Sequence, residues 1–240
     1  MNKRPALLAL CILLCGFQTA VAEGVEFIEF TDSLSDAELR TLRNERRAEL
    51  QQRARTTSPQ RTPEGTEYRI FYCTVYYTPK ESGFTAQRGF DATPATAPGL
   101  RGHKYPRSFL RAVKREGFGR MENPVNGLNY LQYRGNGRYG FAKTPLGSRG
   151  NVLVPRQSCA VSRRNPHLRQ RMKLKIQCDL VETVMGSTEW EVADTGGGVH
   201  PLQIDLYWGE DEPMGSEGRQ QARPAGTRME YAFELKVIAE

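Results

Sequence analysis

Histidine is scarce in this 240-residue chain. His103, His167 and His200 are the only three, and they stand far apart, at no spacing that suits a metal. The sequence also lacks a phosphate-cradling G-x-x-x-x-G-K, a G-x-S-x-G nucleophile elbow and an H-E-x-x-H helix, which removes the commonest nucleotide-binding, serine-hydrolase and zinc-peptidase readings. Past residue 22 there is no apolar run near the ~20 residues that a membrane-spanning helix needs. What is present is 38% hydrophobic and 25% charged residues with 23 Gly and 14 Pro, the composition of a globular chain.

At the N-terminus, Lys3 and Arg4 precede an apolar run over 6–17, and Ala20-Val21-Ala22 precedes Glu23. This is the pattern of a cleaved secretory signal over 1–22, so the mature protein is expected to be periplasmic or secreted, with no membrane span. Cys11 and Cys15 each follow a leucine rather than a small residue, so no lipid anchor is expected. Export leaves Cys73, Cys159 and Cys178 where disulfides form, and an odd count predicts one pair and one free thiol, with the pairing open. The net charge is +7, and losing Lys3 and Arg4 lowers it by two. A basic exported protein meets wall carboxylates and phosphates rather than nucleic acid.

Residues 23–66 read as a charged helical arm and linker. Ser35-Asp36-Ala37-Glu38 fits a capping box, and 36–55 is dense in good helix formers. The apolar face is thin (Leu39, Leu42, Leu50), which predicts a helix at the domain edge or an arm that holds a protein partner. Residues 56–65 are linker-like. From Tyr68 the texture becomes short β-type runs: 68–78, 151–161, 172–185 with an internal turn, 189–193, 203–208 and 231–238. One helix is predicted between the first two, with Pro106 in its first turn, Phe109, Leu110 and Val113 buried, and Gly117 as its stop. Six strands, one inserted helix and no repeating β-α-β unit predict a mainly β, closed or nearly closed barrel over 67–240.

The chemistry concentrates in 190–209. A strand ends at Asp194, Gly196-Gly197-Gly198 forms a loop that lets a sugar or another backbone come close, and a second strand carries Asp205. Alternation points Ile204, Leu206 and Trp208 one way, and Asp205 and Tyr207 the other. A half-desolvated aspartate suits proton donation near neutrality, although the same pattern also fits a plain turn. Cys73, on an aromatic strand without a paired His, reads as structural. Arg107, Arg111, Lys114 and Arg115 form a basic helix face, and Arg163, Arg164, Arg169 and Arg171 a basic loop.

Ala193-Asp194-Thr195-Gly196-Gly197-Gly198-Val199 and Ile204-Asp205-Leu206-Tyr207-Trp208-Gly209 resemble the signature of the three-aspartate (3D) domain, the double-psi β-barrel shared with the MltA family of lytic transglycosylases. Thr74-Val75-Tyr76-Tyr77-Thr78-Pro79, Pro145-Leu146-Gly147 and Ser158-Cys159-Ala160-Val161 resemble its earlier strands and turn, so the resemblance spans roughly 68–238. In place of the first family aspartate stands Ser162.

The resemblance implies cleavage of the β-1,4 bond after N-acetylmuramic acid in peptidoglycan glycan strands, without a cofactor or metal. The sugar's C6 hydroxyl attacks the anomeric carbon to give a 1,6-anhydro product, so one carboxyl can serve in turn as acid and base. It assigns that part to Asp205, with Asp194 orienting the loop or tuning the acid, and Tyr207, Tyr76, Thr74 and Gly197 contacting substrate. The alternative is a non-catalytic polysaccharide-binding module of the expansin-like kind, which the serine at 162 favours.

Overall fold

The structure is a computed structural model and describes residues 36–85, 90–211 and 233–239. The predicted signal sequence, the start of the predicted arm and the first residues of the last predicted strand lie outside these. So do the side chains of Leu39 and Leu42.

The fold is mainly β. In chain order its elements are α1 (Asp36–Thr56), β1 (Gln60–Arg61), β2 (Glu67–Pro79), β3 (Pro94–Ala95), β4 (Tyr105–Pro106), α2 (Arg107–Glu116), β5 (Phe118–Val125), β6 (Leu128–Tyr133), β7 (Tyr139–Ala142), β8 (Ser158–Ser162), β9 (Lys173–Gln177), α3 (Asp179–Met185), β10 (Glu189–Gly196), β11 (Gln203–Asp211) and β12 (Phe233–Ala239). The main sheet runs β2-β11-β8-β10-β9-β12, and β12 also pairs with β2, so the hydrogen bonding closes into a ring. The pairs β2–β11 and β8–β10 are parallel, and the other pairs in the ring are antiparallel.

Closure gives each strand an inner face, and alternation fills it. Phe71 and Cys73 of β2, Cys159 and Val161 of β8, Leu174 and Ile176 of β9, Trp190 and Val192 of β10, Ile204, Leu206 and Trp208 of β11 and Val237 of β12 form one buried core. Burial of this kind, at about 25 cal/mol per Å² of apolar surface, is the main force holding the ring together. Cys73, Cys159 and Cys178 lie in that core as free thiols, so the expected disulfide is not formed. Burial pushes the Cys73 and Cys159 thiols well above their ordinary range. Both stay protonated at neutral pH, and thiolate is the reactive form. We expect no alkylation of Cys73, Cys159 or Cys178 in native protein at pH 8, and complete alkylation after denaturation, read by intact mass.

Residues 84–141 build a second core that the sequence reading reduced to a single helix. Phe109, Leu110 and Val113 of α2 pack with Phe84, Leu100, Tyr105, Met121, Leu131 and Tyr139 against the β5-β6-β7 sheet. Helix α2 starts after Pro106 and stops at Gly117, whose φ of +92° and N–H bond to the Val113 carbonyl at 2.8 Å close its last turn. The approach to β5 is close: a Cβ on Gly119 would fall 2.5 Å from Val113.

Three further expectations are corrected. The 172–185 run is a strand followed by α3, because Val181 and Met185, one helical turn apart, both bury into the ring core and Gly186 caps in the left-handed region. The 151–161 run is a strand only from Ser158, since Pro155 and Arg156 (φ +60°) make a turn before it. The linker holds β1, paired with the start of β2.

Candidate functional site

Asp205 sits at the middle of the ring, opposite Thr74 of β2 on one side and Ala160 of β8 on the other. Its neighbours Ile204 and Leu206 enter the core, so alternation turns Asp205 outwards, half-buried. There it borders a cavity of about 400 Å³. Thr74, Tyr76, Asp194, Gly197 and Gln203 line the same space, which is walled by Arg47 of α1 and by Arg115 and Glu116 at the end of α2. Both predicted acids, and three of the four predicted contact residues, thus converge on one groove between the ring, α1 and the second core.

The two aspartates are held differently. Thr74 donates its hydroxyl to Oδ1 of Asp205 at 2.5 Å. Oδ1 of Asp194 accepts two backbone N–H groups, from Ser148 at 2.6 Å and from its neighbour Thr195 at 2.7 Å. Around it, Asn151 and Gln170 donate to the Ala193 carbonyl at 3.2 and 3.1 Å, and the Thr195 hydroxyl meets the Ser148 hydroxyl at 2.9 Å. Asp194 therefore fastens the 145–151 loop to β10. Gly147 lets that loop close: a Cβ there would lie 2.3 Å from the Ala193 carbonyl oxygen and 3.0 Å from the Asp194 Cβ. We expect Gly147→Ala to destabilise the fold by about 1–3 kcal/mol in chemical denaturation, as overpacking against rigid backbone does.

Tyr207 departs from expectation. Its ring is 2% exposed, tilted on Tyr76 at 5.1 Å beneath Leu153, and its hydroxyl bonds Thr78 at 2.8 Å. Burial pushes this phenol up to about 12. Tyr207 is a packing residue under the groove floor and has no face left for a sugar. Tyr76 lies between it and the groove. Burial, and then the charges of Asp194 and Asp205, push its phenol well up, and its buried hydroxyl has no partner among the described residues.

Gly197 and Gly198 have no positive φ, and a Cβ on either would meet nothing within 4 Å. The fold itself leaves their side open. Ser162 ends β8, 7% exposed, with its hydroxyl accepting the Arg164 N–H at 3.2 Å in a local turn. None of Arg163, Arg164, Arg169 and Arg171 borders the cavity. On the predicted basic face of α2, Arg107 and Arg111 lie 3.6 and 3.9 Å from Asp91, and Arg115 pairs with Glu116 at 2.5 Å. Among the described residues no three His, Cys, Asp or Glu side chains gather to hold a metal, and no helix is long and apolar enough to cross a membrane.

Sequence reasoning missed Gln203, which lies two residues from Asp205 and so on the same face, as well as Tyr72 and the groove-side residues of α1. Period-two alternation along β2 and β11 was the available signal for the first two.

No family model matches the chain, and neither does any curated protein. Among solved structures, E. coli MltA with bound chitohexaose is similar at 16% identity, covering 86% of this chain and 85% of that one with a TM-score of 0.47. The lytic transglycosylase LtgG of Burkholderia pseudomallei is similar at 14% identity over 76% and 75% of the chains (TM-score 0.36), and MltA from Neisseria gonorrhoeae at 11% over 70% and 72% (TM-score 0.39).

Proposed function

We propose that this protein is an exported peptidoglycan-active enzyme, a lytic transglycosylase with Asp205 as its acid and base. The observation that carries the reading is one groove, about 400 Å³, that holds Asp205 beside Asp194 and the open Gly197-Gly198 backbone, with a second packed unit forming its far wall. The closed six-strand ring with its two parallel pairs suits a double-psi β-barrel, in keeping with the motifs around Asp194 and Asp205.

In this reading a glycan strand lies along the groove with its sugar faces against the glycine loop. Thr74 donates to Oδ1 of Asp205 and orients the carboxyl group that carries the proton to be exchanged. That proton goes to the glycosidic oxygen as the bond breaks, and the resulting carboxylate takes one from the C6 hydroxyl as it closes on the anomeric carbon. Asp194 shapes the loop and has no direct part in the proton transfer.

The second reading is a non-catalytic polysaccharide-binding module. Ser162 favours it, because an acid of the three-aspartate pattern is replaced by a locally bonded hydroxyl. Incubation of the mature protein with purified sacculi, followed by mass spectrometry of the soluble fraction, separates the two. Muropeptides with 1,6-anhydro ends are expected. Reducing ends would indicate a hydrolase, and sacculi that retain intact protein without releasing product would indicate a binder.

A further inference from the structure

A directed chain of hydrogen bonds runs from α1 to the proposed acid. Its polarity is anchored at Gln203: the backbone N–H of His200, which can only donate, bonds Oε1 at 2.9 Å. The amide nitrogen of Gln203 therefore faces Thr74, donating to its hydroxyl at 2.5 Å, and Thr74 passes its own proton to Oδ1 of Asp205. On the other side, the Tyr72 hydroxyl donates to Oε1 of Gln203 at 3.0 Å and accepts from the amide nitrogen of Gln51 at 3.1 Å. Each donor points towards Asp205, so the chain has one consistent direction.

The fold explains the alignment. In the parallel pair β2–β11, Tyr72 lies opposite Gln203 and Thr74 opposite Asp205, two successive steps on one face. Burial raises the Tyr72 phenol, which keeps it a donor through neutral pH. Gln51 is held in place because Leu50 and Ala54 bury as α1 seats. Arg47, Leu50, Gln51, Ala54 and Arg55 fall at i, i+3, i+4, i+7 and i+8, one stripe of the helix. Arg47 borders the groove, and Arg55 lies 3.1 Å from His200, whose backbone N–H anchors Gln203.

We propose that α1 is a working part of the site, with Gln51, Tyr72, Gln203 and Thr74 as positioning residues that fix the orientation of the Asp205 carboxyl group through Oδ1. This rests on the reading of Asp205 as acid and base. The helix expected at the domain edge or as an arm seats Leu50 and Ala54 on this chain and places Gln51 in its hydrogen-bond chain.

The test compares shape with polarity on soluble peptidoglycan glycan strands. Thr74→Val keeps the shape and removes the hydroxyl, and is expected to lower kcat about tenfold or more with KM unchanged, whereas Thr74→Ser restores it. Gln51→Glu keeps size but can only accept, so it reverses the first link and is expected to lower kcat several-fold with an unchanged melting temperature. In the same variants the side-chain amide signals of Gln203 are followed by NMR. They are expected to move in Gln51→Glu and Thr74→Val, and to stay near their wild-type positions in Thr74→Ser. Active wild type with full kcat in Thr74→Val and Gln51→Glu, or Gln203 signals that ignore Gln51→Glu, overturns the positioning chain alone. Wild type that releases no glycan product removes the acid reading itself, and the positioning role with it.

Discussion

Asp205→Asn is expected to lower release of anhydro-muropeptides by about 10²–10⁴-fold, the usual worth of a positioned general acid and base. The substitution isolates the proton. Asparagine keeps the size of the side chain and an oxygen that still accepts the Thr74 hydroxyl, so the hydrogen bonds linking β2 and β11 on this face survive. Stability should change little, because the half-buried side chain keeps its size and the flanking Ile204 and Leu206 stay in the core. The measurement is initial-rate product release by mass spectrometry, with thermal melting alongside. A variant that melts like wild type and cleaves at the wild-type rate would show that the acid lies elsewhere.

Asp194→Ala is expected to do the opposite, costing stability first and activity as a result. Alanine leaves the Ser148 and Thr195 N–H groups without their acceptor. Hydrogen bonds to a charged group are worth about 1.5–3 kcal/mol each, and two share one oxygen, so a loss of about 3 kcal/mol in chemical denaturation is expected. Asp194→Asn keeps the acceptor and gives up only the charge assistance, so about half that loss is expected. Residual activity should follow the loop: partial in Asn, low in Ala. If both variants lost all activity while keeping full stability, Asp194 would be acting on substrate, and its part as a fastening would be refuted.

Much of this architecture was legible where local signals were complete. The first helix carries a capping box and the second has both of its stops, and β2, β10 and β11 read directly from β-branched and aromatic runs. The β5-β6-β7 sheet was not read, although Asn126-Gly127, both at positive φ, is a strong hairpin signal. The second half of the strand before it holds Glu122, Asn123 and Pro124, all exposed, so no apolar alternation marks it. The α3 segment is too short for its 3.6 period to stand out from a strand. At the site, alternation correctly put Asp205 and Tyr207 on one side of β11. It gives a face and not a depth, and two residues further along that face Leu153 and Tyr76 already cover Tyr207. The seating of α1 was hidden for a different reason: its buried residues among those described are Leu50 and Ala54, and a search for apolar periodicity passes over Gln51 beside them.

Both carboxylates are on ring strands, but the ring and the loop that Asp194 fastens to it have different lifetimes. Asp205 is on a strand paired on both sides within a closed ring, and releasing it requires the ladder to part, an event as rare as global unfolding. The loop that Asp194 fastens is held by side-chain bonds and a close glycine contact, so it can open by itself while the ring stays intact. Opening of the loop can therefore proceed while Asp194 and Asp205 both stay on paired strands.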